Sequence, residues 1–190
     1  MFDETALTNL REILARRPAV EIIAPQHRRA CVLIPLIRNG AGYSILFTRR
    51  SENLTSHGGQ IAFPGGAVEP GEALHDAAIR EAEEEVGIHP ADVELIGRLD
   101  DLVTHSGFLV APFAGVIHEP VEYVIQESEV VEVFEVPIEA LLDVRNPEIR
   151  YVPFRRKEYP AYFYRYRDYE IWGLTGRMLK AFLDLVWQSI

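Results

Sequence analysis

The sequence contains little cysteine and no long apolar run. Cys31 is the only cysteine among 190 residues, so an internal disulfide and a zinc cluster built on paired cysteines are both excluded. No run of about eighteen apolar residues occurs, so no transmembrane helix is predicted. The first residues begin acidic and do not resemble a secretory signal. We therefore expect a cytoplasmic protein.

Positive charge is also scarce. Lysine and arginine number 19 against 29 aspartates and glutamates, which gives a formal net charge of −10. Such a chain repels nucleic acid and anionic membranes unless a basic patch or a metal ion reverses the local field. We expect a small-molecule substrate, with no nucleic-acid or membrane partner. The sequence leaves both a monomer and a homo-oligomer open.

The pattern of apolar residues predicts one folded domain over residues 1–190. The hydrophobic content is 48%, which is ordinary for a globular protein. Helical spacing predicts amphipathic helices over about residues 3–17 and 174–188, packed on the domain. Short apolar runs predict strands in 30–37, 43–48, 60–63, 93–99, 108–117 and 129–137, a short helix at 138–142 and a hairpin within 149–172. Hairpins mixed with helices favour an α+β fold with a mixed sheet.

The segment EALHDAAIREAEEEVG, residues 72–87, predicts an acidic amphipathic helix that ends at Gly87. Its apolar residues share one arc of the helix, and Glu81, Glu84 and Glu85 occupy the neighbouring arc. Three carboxylates at this spacing repel one another, and their hard oxygens suit Mg²⁺ or Mn²⁺. The alternative is a solvated helical face, which is the usual origin of a charge run.

The surroundings of this helix carry a family resemblance. Gly66, Glu72 and the segment REAEEEVGI of residues 80–88 resemble the Nudix box at every fixed position over residues 66–88. The resemblance implies the Nudix fold, an α/β/α sandwich with a central mixed β-sheet. It also implies hydrolysis of a nucleoside diphosphate linked to another group, with Mg²⁺ or Mn²⁺ as the cofactor.

The resemblance further implies roles for individual residues. The implied catalytic set is Glu72, Arg80, Glu81, Glu84 and Glu85. Within it, the three later glutamates are the implied metal ligands, joined by the backbone carbonyl of Gly66. Glu72 and Arg80 would support the loop and the helix through an ion pair. The general base is sometimes a glutamate of the box and sometimes one on a later loop, so Glu81 is the first choice, with Glu127 and Glu129 as alternatives.

The region before the box resembles the extra motif of coenzyme A diphosphatases. That motif is matched by LFTRRS at residues 46–51, by Gly59 and by FPGG at residues 63–66. Two positions depart from it: the motif usually has leucine where this sequence has Phe47, and arginine where it has Thr55. THSGFLVAPF from Thr104 and IWGLT from residue 171 also resemble that family. The implied substrate-binding residues are Arg49, Arg50, Ser51, Gly59, Phe63, Thr104 and Ser106.

The leading prediction is hydrolysis of coenzyme A or a derivative to 4′-phosphopantetheine and adenosine 3′,5′-bisphosphate. Because coenzyme A also carries a 3′-phosphate, its selection requires positive charge beyond the metal, which Arg49 and Arg50 offer. The alternatives are a Nudix diphosphatase acting on ADP-ribose, NADH or dinucleoside polyphosphates, and, in another class, a non-catalytic nucleotide-binding module. Three mutually repelling carboxylates argue against the binding module.

Six of the eight tyrosines lie between Tyr151 and Tyr169, interleaved with basic residues. Stacking rings and cations are typical of nucleic-acid surfaces, but alternation in a hairpin explains the pattern better. It predicts Tyr162, Tyr164 and Tyr166 on one face, and we hypothesise that Tyr164 covers the pantetheine arm or the adenine. Two loop histidines, His57 and His105, are interpreted as hydrogen-bonded rather than catalytic, and Cys31 as a core residue.

Overall fold

A mixed sheet forms the centre of the protein. The computed structural model describes residues 1–40, 42–54, 58–118, 122–143, 147–154 and 157–190. The strands of the central sheet are β1 (Arg28–Asn39), β2 (Gly42–Arg50), β3 (Ile61–Ala62), β4 (Gly65–Ala67), β5 (Val93–Arg98), β6 (Leu102–Val103), β7 (Phe108–Ile117) and β8 (Val130–Pro137). A smaller sheet contains β9 (Glu148–Phe154), β10 (Lys157–Tyr166) and β11 (Tyr169–Ile171). The helices are α1 (Glu4–Arg16), α2 (Leu74–Val86), α3 (Ile138–Leu141) and α4 (Gly173–Ser189).

Strand β1 is the axis of the central sheet. It pairs in parallel with β7, where Cys31 lies opposite Ala111, and antiparallel with β2 and β4. Strand β5 pairs antiparallel with β7 on the other side. The combination of parallel and antiparallel pairs confirms the predicted α+β fold with a mixed sheet.

The two faces of the sheet carry two separate cores. Because side chains alternate along a strand, Ile34 and Leu36 join the core beneath α1 and α4, whereas Cys31 and Leu33 join the core beneath α2. Helix α4 buries one apolar face, which includes Met178, Leu179, Phe182, Leu183 and Val186. The helices therefore form layers on both sides of the sheet.

The side chain of Asp3 caps the start of the N-terminal helix. The carboxylate of Asp3 accepts hydrogen bonds from the backbone amides of Thr5 and Ala6, at 3.0 Å and 3.1 Å. Asp3 is therefore the N-cap, and Thr5 lies inside the helix. None of the helices in the described part of the chain has the length and apolar character needed to cross a membrane.

The tyrosine-rich hairpin differs from its prediction in two respects. A third strand, β11, returns along β10 and pairs Ile171 with Tyr164. Both Phe163 and Tyr164 are buried, because the stacked ring of Trp172 covers one and the core beneath α4 surrounds the other. The predicted alternation of Tyr162, Tyr164 and Tyr166 on one face is present, since all three pack in the core beneath α4 and Phe163 does not, but here both faces of the strand are covered. With 1% of its surface exposed, Tyr164 cannot cover a substrate, which corrects that hypothesis. Arg155 and Arg156 lie outside the described residues.

Two glycines with positive φ show separately how backbone strain and steric crowding of an added Cβ would lower the free energy of unfolding. Gly87 ends α2 at φ 76°, and a Cβ there would lie 3.0 Å from the backbone nitrogen of Val124. Gly71 has φ 85° and open space around it. We expect Gly71→Ala to lower the free energy of unfolding by about 1 kcal/mol, and Gly87→Ala by at least about 1 kcal/mol more. Urea unfolding measures both values, and equal losses would contradict the structure.

Candidate functional site

Helix α2 presents a row of carboxylates at the edge of its buried face. Ala78, Ala82 and Val86 pack the helix against the sheet. One turn of the helix carries the acidic residues, whose side chains are 14% exposed for Glu81, 52% for Glu84 and only 3% for Glu85. The predicted arc of carboxylates therefore exists, and two of its three members are largely removed from water.

The guanidinium of Arg80 joins two of these carboxylates, those of Glu81 and Glu84, to Glu72 in the loop before the helix. Its Nε and Nη2 donate to Glu72 at 2.8 Å and 3.1 Å, and its Nη1 donates to both Glu81 and Glu84 at 3.0 Å. Nη2 also donates to the carbonyl of Ala67 at 3.2 Å. The hydrogen bonds with Glu72 raise the pKa of Arg80 well above its ordinary value and lower the pKa of Glu72. Arg80 thus ties the loop before α2 to the helix, and the implied ion pair is present.

Glu85 is the most deeply buried acid of the row. The Nη1 of Arg50 lies 3.7 Å from its Oε1, and the backbone amide of Gly65 donates to its Oε2 at 3.3 Å. Burial raises the pKa of Glu85 to about 8 and also raises the pKa of Glu81. At neutral pH the carboxyl group of Glu85 therefore either keeps its proton or requires more positive charge than Arg50 supplies.

Gly66 lies directly against the carboxylate of Glu81. Strand β4 places it opposite Cys31 of β1, and a Cβ at this position would overlap the Glu81 carboxylate. Only glycine allows this approach. The Cys31 thiol lies 3.9 Å from the Gly66 carbonyl, is fully buried and has its pKa raised to about 12 by burial. Cys31 is therefore a core residue, as predicted.

The carboxylate oxygens of Glu81, Glu84 and Glu85 are chemically suited to bind a hard divalent cation. Within the described ranges, no three His, Cys, Asp or Glu side chains are gathered into a ready cation site. Glu81 and Glu84 instead converge on one cationic nitrogen of Arg80, at 3.0 Å each. Their carboxylates and that of Glu85 are oxygen donors of the kind preferred by Mg²⁺ and Mn²⁺. A cation would also offset the raised pKa values of the two buried acids.

An open cavity of about 530 Å³ lies beside the carboxylates. Its charged lining residues are Arg28, Arg50, Glu69, Arg80, Glu81, Glu84 and Glu129. The guanidinium of Arg28 lies 5.4 Å from the centre of the Phe108 ring. Of the two later glutamates considered as general bases, Glu129 lines the cavity, whereas Glu127 is exposed and lies outside it. The volume suits a small organic ligand.

The two neighbouring arginines of the preceding motif point in different directions. Arg50 lines the cavity. Arg49 lies 3.1 Å from the carboxylate of Glu132, its partner on β8, and its guanidinium lies 5.4 Å from the centre of the Tyr169 ring. Successive side chains of a strand face opposite sides, so only one of the two arginines faces the carboxylate helix.

The other implied substrate-binding residues lie around the cavity rather than along its wall. The backbone amide of buried Ser51 donates to the carbonyl of Glu129 at 2.8 Å. The backbone amide of Gly59 donates to the carbonyl of Arg50 at 3.0 Å. These bonds hold the loop that follows Arg50. Phe63 is buried at the border of a second cavity.

Thr104 and Ser106 share a turn outside the cavity lining, with their hydroxyl oxygens 3.0 Å apart. That turn lies beside Arg28, whose amide donates to the Gly107 carbonyl at 2.9 Å. Thr55 and His57 lie outside the described residues.

Arg28 is the residue of this site that sequence reasoning missed. It begins β1, far from the box in the sequence, and the parallel pairing with Phe108 of β7 brings it to the cavity. The only signal in the sequence is a basic residue directly before the first apolar strand. Strand order is required to assign that residue to the site.

Comparison with known proteins gives consistent results. The NUDIX domain family model matches residues 27–162. An uncharacterized Nudix hydrolase NudL of Citrobacter koseri is 39% identical over 182 residues, covering 93% of this chain and 94% of the relative. The protein of the same name from Photorhabdus laumondii is 36% identical over 163 residues, covering 85% and 87%.

Two solved structures show a similar arrangement of strands and helices. The Nudix hydrolase RenU from M. smegmatis matches with a TM-score of 0.53 and 21% identity, covering 62% of this chain and 74% of that one. A C. elegans Ap4A hydrolase matches with a TM-score of 0.51 and 19% identity, covering 62% and 85%. At these identities the likeness concerns the fold alone. The predicted α/β/α sandwich with a central mixed sheet is confirmed.

The burial of Glu85 predicts how the stability of the metal-free protein depends on pH. Its pKa is about 8 in the folded state against an ordinary value of 4.5, so the unfolded chain releases a proton that the folded chain retains between these values. Stability contributed by this group is therefore lost as the pH rises through that window. We expect Glu85→Gln to raise the Tm by at least about 2 °C near pH 8.5, the shift that about 1 kcal/mol produces in a chain of this size.

Melting with a chelator at about pH 5 and about pH 8.5 tests this expectation. Glu83→Gln is the matched control, because that glutamate is exposed on the same helix. An equal pH dependence of Tm in wild type, Glu83→Gln and Glu85→Gln would contradict the assignment.

Proposed function

The chain belongs to the Nudix family, and on this premise we propose that it hydrolyses the diphosphate linkage of coenzyme A or a derivative. The products would be 4′-phosphopantetheine and adenosine 3′,5′-bisphosphate. The observation that supports this proposal is the cavity that combines Glu81 and Glu84 of α2 with Arg28 and Arg50. Two arginines beside a cation site suit a substrate with more phosphate groups than a diphosphate alone.

Mg²⁺ or Mn²⁺ would be held by Glu81, Glu84 and Glu85, together with the backbone carbonyl of Gly66. When bound, the cation supplies positive charge to the diphosphate and makes water more acidic, which favours attack on phosphorus. The close approach of Gly66 to Glu81 and the hard oxygen donors support this assignment.

The arginines of the site have separate tasks. Arg80 already donates to Glu72, Glu81, Glu84 and a backbone carbonyl, so it orients the carboxylates rather than the substrate. The guanidinium of Arg50 lies 3.7 Å from the carboxylate of Glu85, which is longer than a hydrogen bond, so it can donate to a phosphate oxygen. Arg28 offers a second guanidinium from the first residue of β1.

Glu81 is our first choice as general base. It lines the cavity, and burial raises its pKa, which favours acceptance of a proton from water. Glu129 also lines the cavity and remains the alternative. Glu127 lies outside the cavity, so it is not placed to take that proton. We also propose a cytoplasmic location, since the single thiol is buried and suits a reducing compartment.

The test is an assay with Mg²⁺ or Mn²⁺ on a panel of compounds, with products identified by mass. The panel contains coenzyme A, dephospho-coenzyme A, ADP-ribose, NADH and diadenosine polyphosphates. We expect the fastest turnover with coenzyme A, and Glu85→Gln to lower kcat by at least about a hundredfold. Glu83→Gln is the control and should retain wild-type turnover.

Three other results would each contradict a different part of the proposal. Wild-type turnover by Glu85→Gln would contradict the metal assignment. Turnover confined to ADP-ribose, NADH or the polyphosphates would keep the hydrolase and overturn the substrate. Tight binding of a nucleotide without any turnover would instead favour the non-catalytic module.

A further inference from the structure

A second cavity, of about 380 Å³, lies on the other side of Arg50. Its walls are mainly apolar and include Ile61, Phe63, Trp172, Leu174 and Met178. Arg50 is the only charged residue among the described residues that line it. The cavity is therefore suited to an uncharged group and unsuited to a phosphate, whose transfer from water to apolar surroundings is costly.

The two cavities share a border that lies at the proposed reaction centre. Arg50 and Gly65 line both of them. These are also the two residues that contact the carboxylate of Glu85. A diphosphate held at this border therefore has one cavity on each side for the two groups that it joins.

The rim of the apolar cavity is held in place by stacked side chains. The ring of Trp172 stacks on Phe163 with centroids 5.5 Å apart and an interplanar angle of 6°. The guanidinium of Arg150 lies 4.1 Å from the centre of the Phe163 ring, and Glu148 and Glu170 hold that guanidinium by hydrogen bonds. The orientation of the Trp172 ring is thus fixed before a ligand arrives, which lowers the entropic cost of binding.

A hydrogen bond joins the two halves of the cavity wall. The hydroxyl of Thr175 donates to the carbonyl of Ile61 at 3.0 Å, although the two residues are 114 positions apart. Thr175 lies in the first turn of α4, and Ile61 begins β3. The C-terminal helix is therefore a built part of this cavity and not only a cover for the sheet.

We infer that the apolar cavity binds the uncharged arm of the substrate and that the phosphorylated nucleoside lies on the Arg28 side. This inference rests on the proposed function. The pantetheine arm carries amides and methyl groups but no charge, so it matches the apolar walls. The nucleoside of coenzyme A carries a further phosphate, and Arg28 supplies a cation in the other cavity.

The first test measures binding of each product without turnover. The sequence contains two tryptophans, so Trp187→Phe leaves Trp172, 42% exposed at the rim, as the only one. We expect 4′-phosphopantetheine to change the emission of Trp172 and adenosine 3′,5′-bisphosphate to leave it unchanged. A change with the bisphosphate alone would show the reverse orientation and overturn the inference.

The second test compares matched variants by calorimetry. Ala62→Leu adds bulk inside the apolar cavity, and Ala181→Leu adds the same bulk on the exposed side of α4. We expect Ala62→Leu to raise the Kd of 4′-phosphopantetheine about tenfold, the range in which a pocket discriminates one extra methylene. Arg28→Gln should raise the Kd of adenosine 3′,5′-bisphosphate and leave that of 4′-phosphopantetheine unchanged. Ala181→Leu should change neither Kd.

The outcomes separate this inference from the proposed function. Turnover of coenzyme A with an unchanged Kd of 4′-phosphopantetheine in Ala62→Leu would overturn the cavity assignment and keep the activity. Binding of 4′-phosphopantetheine that Ala62→Leu weakens, in a protein that does not hydrolyse coenzyme A, would keep the cavity assignment and overturn the activity. If Ala62→Leu does not fold, the emission of Trp172 decides the question.

Discussion

The burial of Glu85 is the constraint on which the rest of the site depends. An ionised carboxylate that is 3% exposed is costly unless positive charge or hydrogen-bond donors surround it. The structure supplies Arg50 at 3.7 Å and the amide of Gly65 at 3.3 Å, and these do not suffice to keep the pKa of Glu85 low. A divalent cation at this point would complete the balance of charge, and a diphosphate would then have a binding site.

Strand β1 determines which residues reach that point. Its antiparallel pairing with β4 brings Gly65 and Gly66 against the carboxylates. Its neighbour β2, which is also antiparallel to it, carries Arg50 at its end. Its parallel pairing with β7 fixes the position of Arg28. Alternation along the same strand also supplies both cores of the sandwich. The stability of the fold and the geometry of the site therefore depend on the same strand.

Local pattern predicted most of the elements but fewer of the contacts between them. The helices at the two ends, the acidic helix and its stop at Gly87 follow from periodicity and capping, which are properties of neighbouring residues. The opposite directions of Arg49 and Arg50 follow from strand alternation and were open to prediction. The presence of Arg28 at the site could not be predicted, because it depends on the order of the strands in the sheet. The burial of both Phe163 and Tyr164 was also missed, since it requires Trp172 and α4 to cover the hairpin from different sides.

Titration of Mn²⁺ into the substrate-free protein is the decisive measurement of whether the α2 carboxylates form a cation site. We expect saturable binding to the wild type and to Glu83→Gln. We also expect a Kd at least about tenfold higher for Glu84→Gln, which keeps the fold but removes an exposed ligand, equivalent to a loss of about 1.4 kcal/mol. The same Kd in all three proteins, or no binding at all, would contradict a cation site on α2.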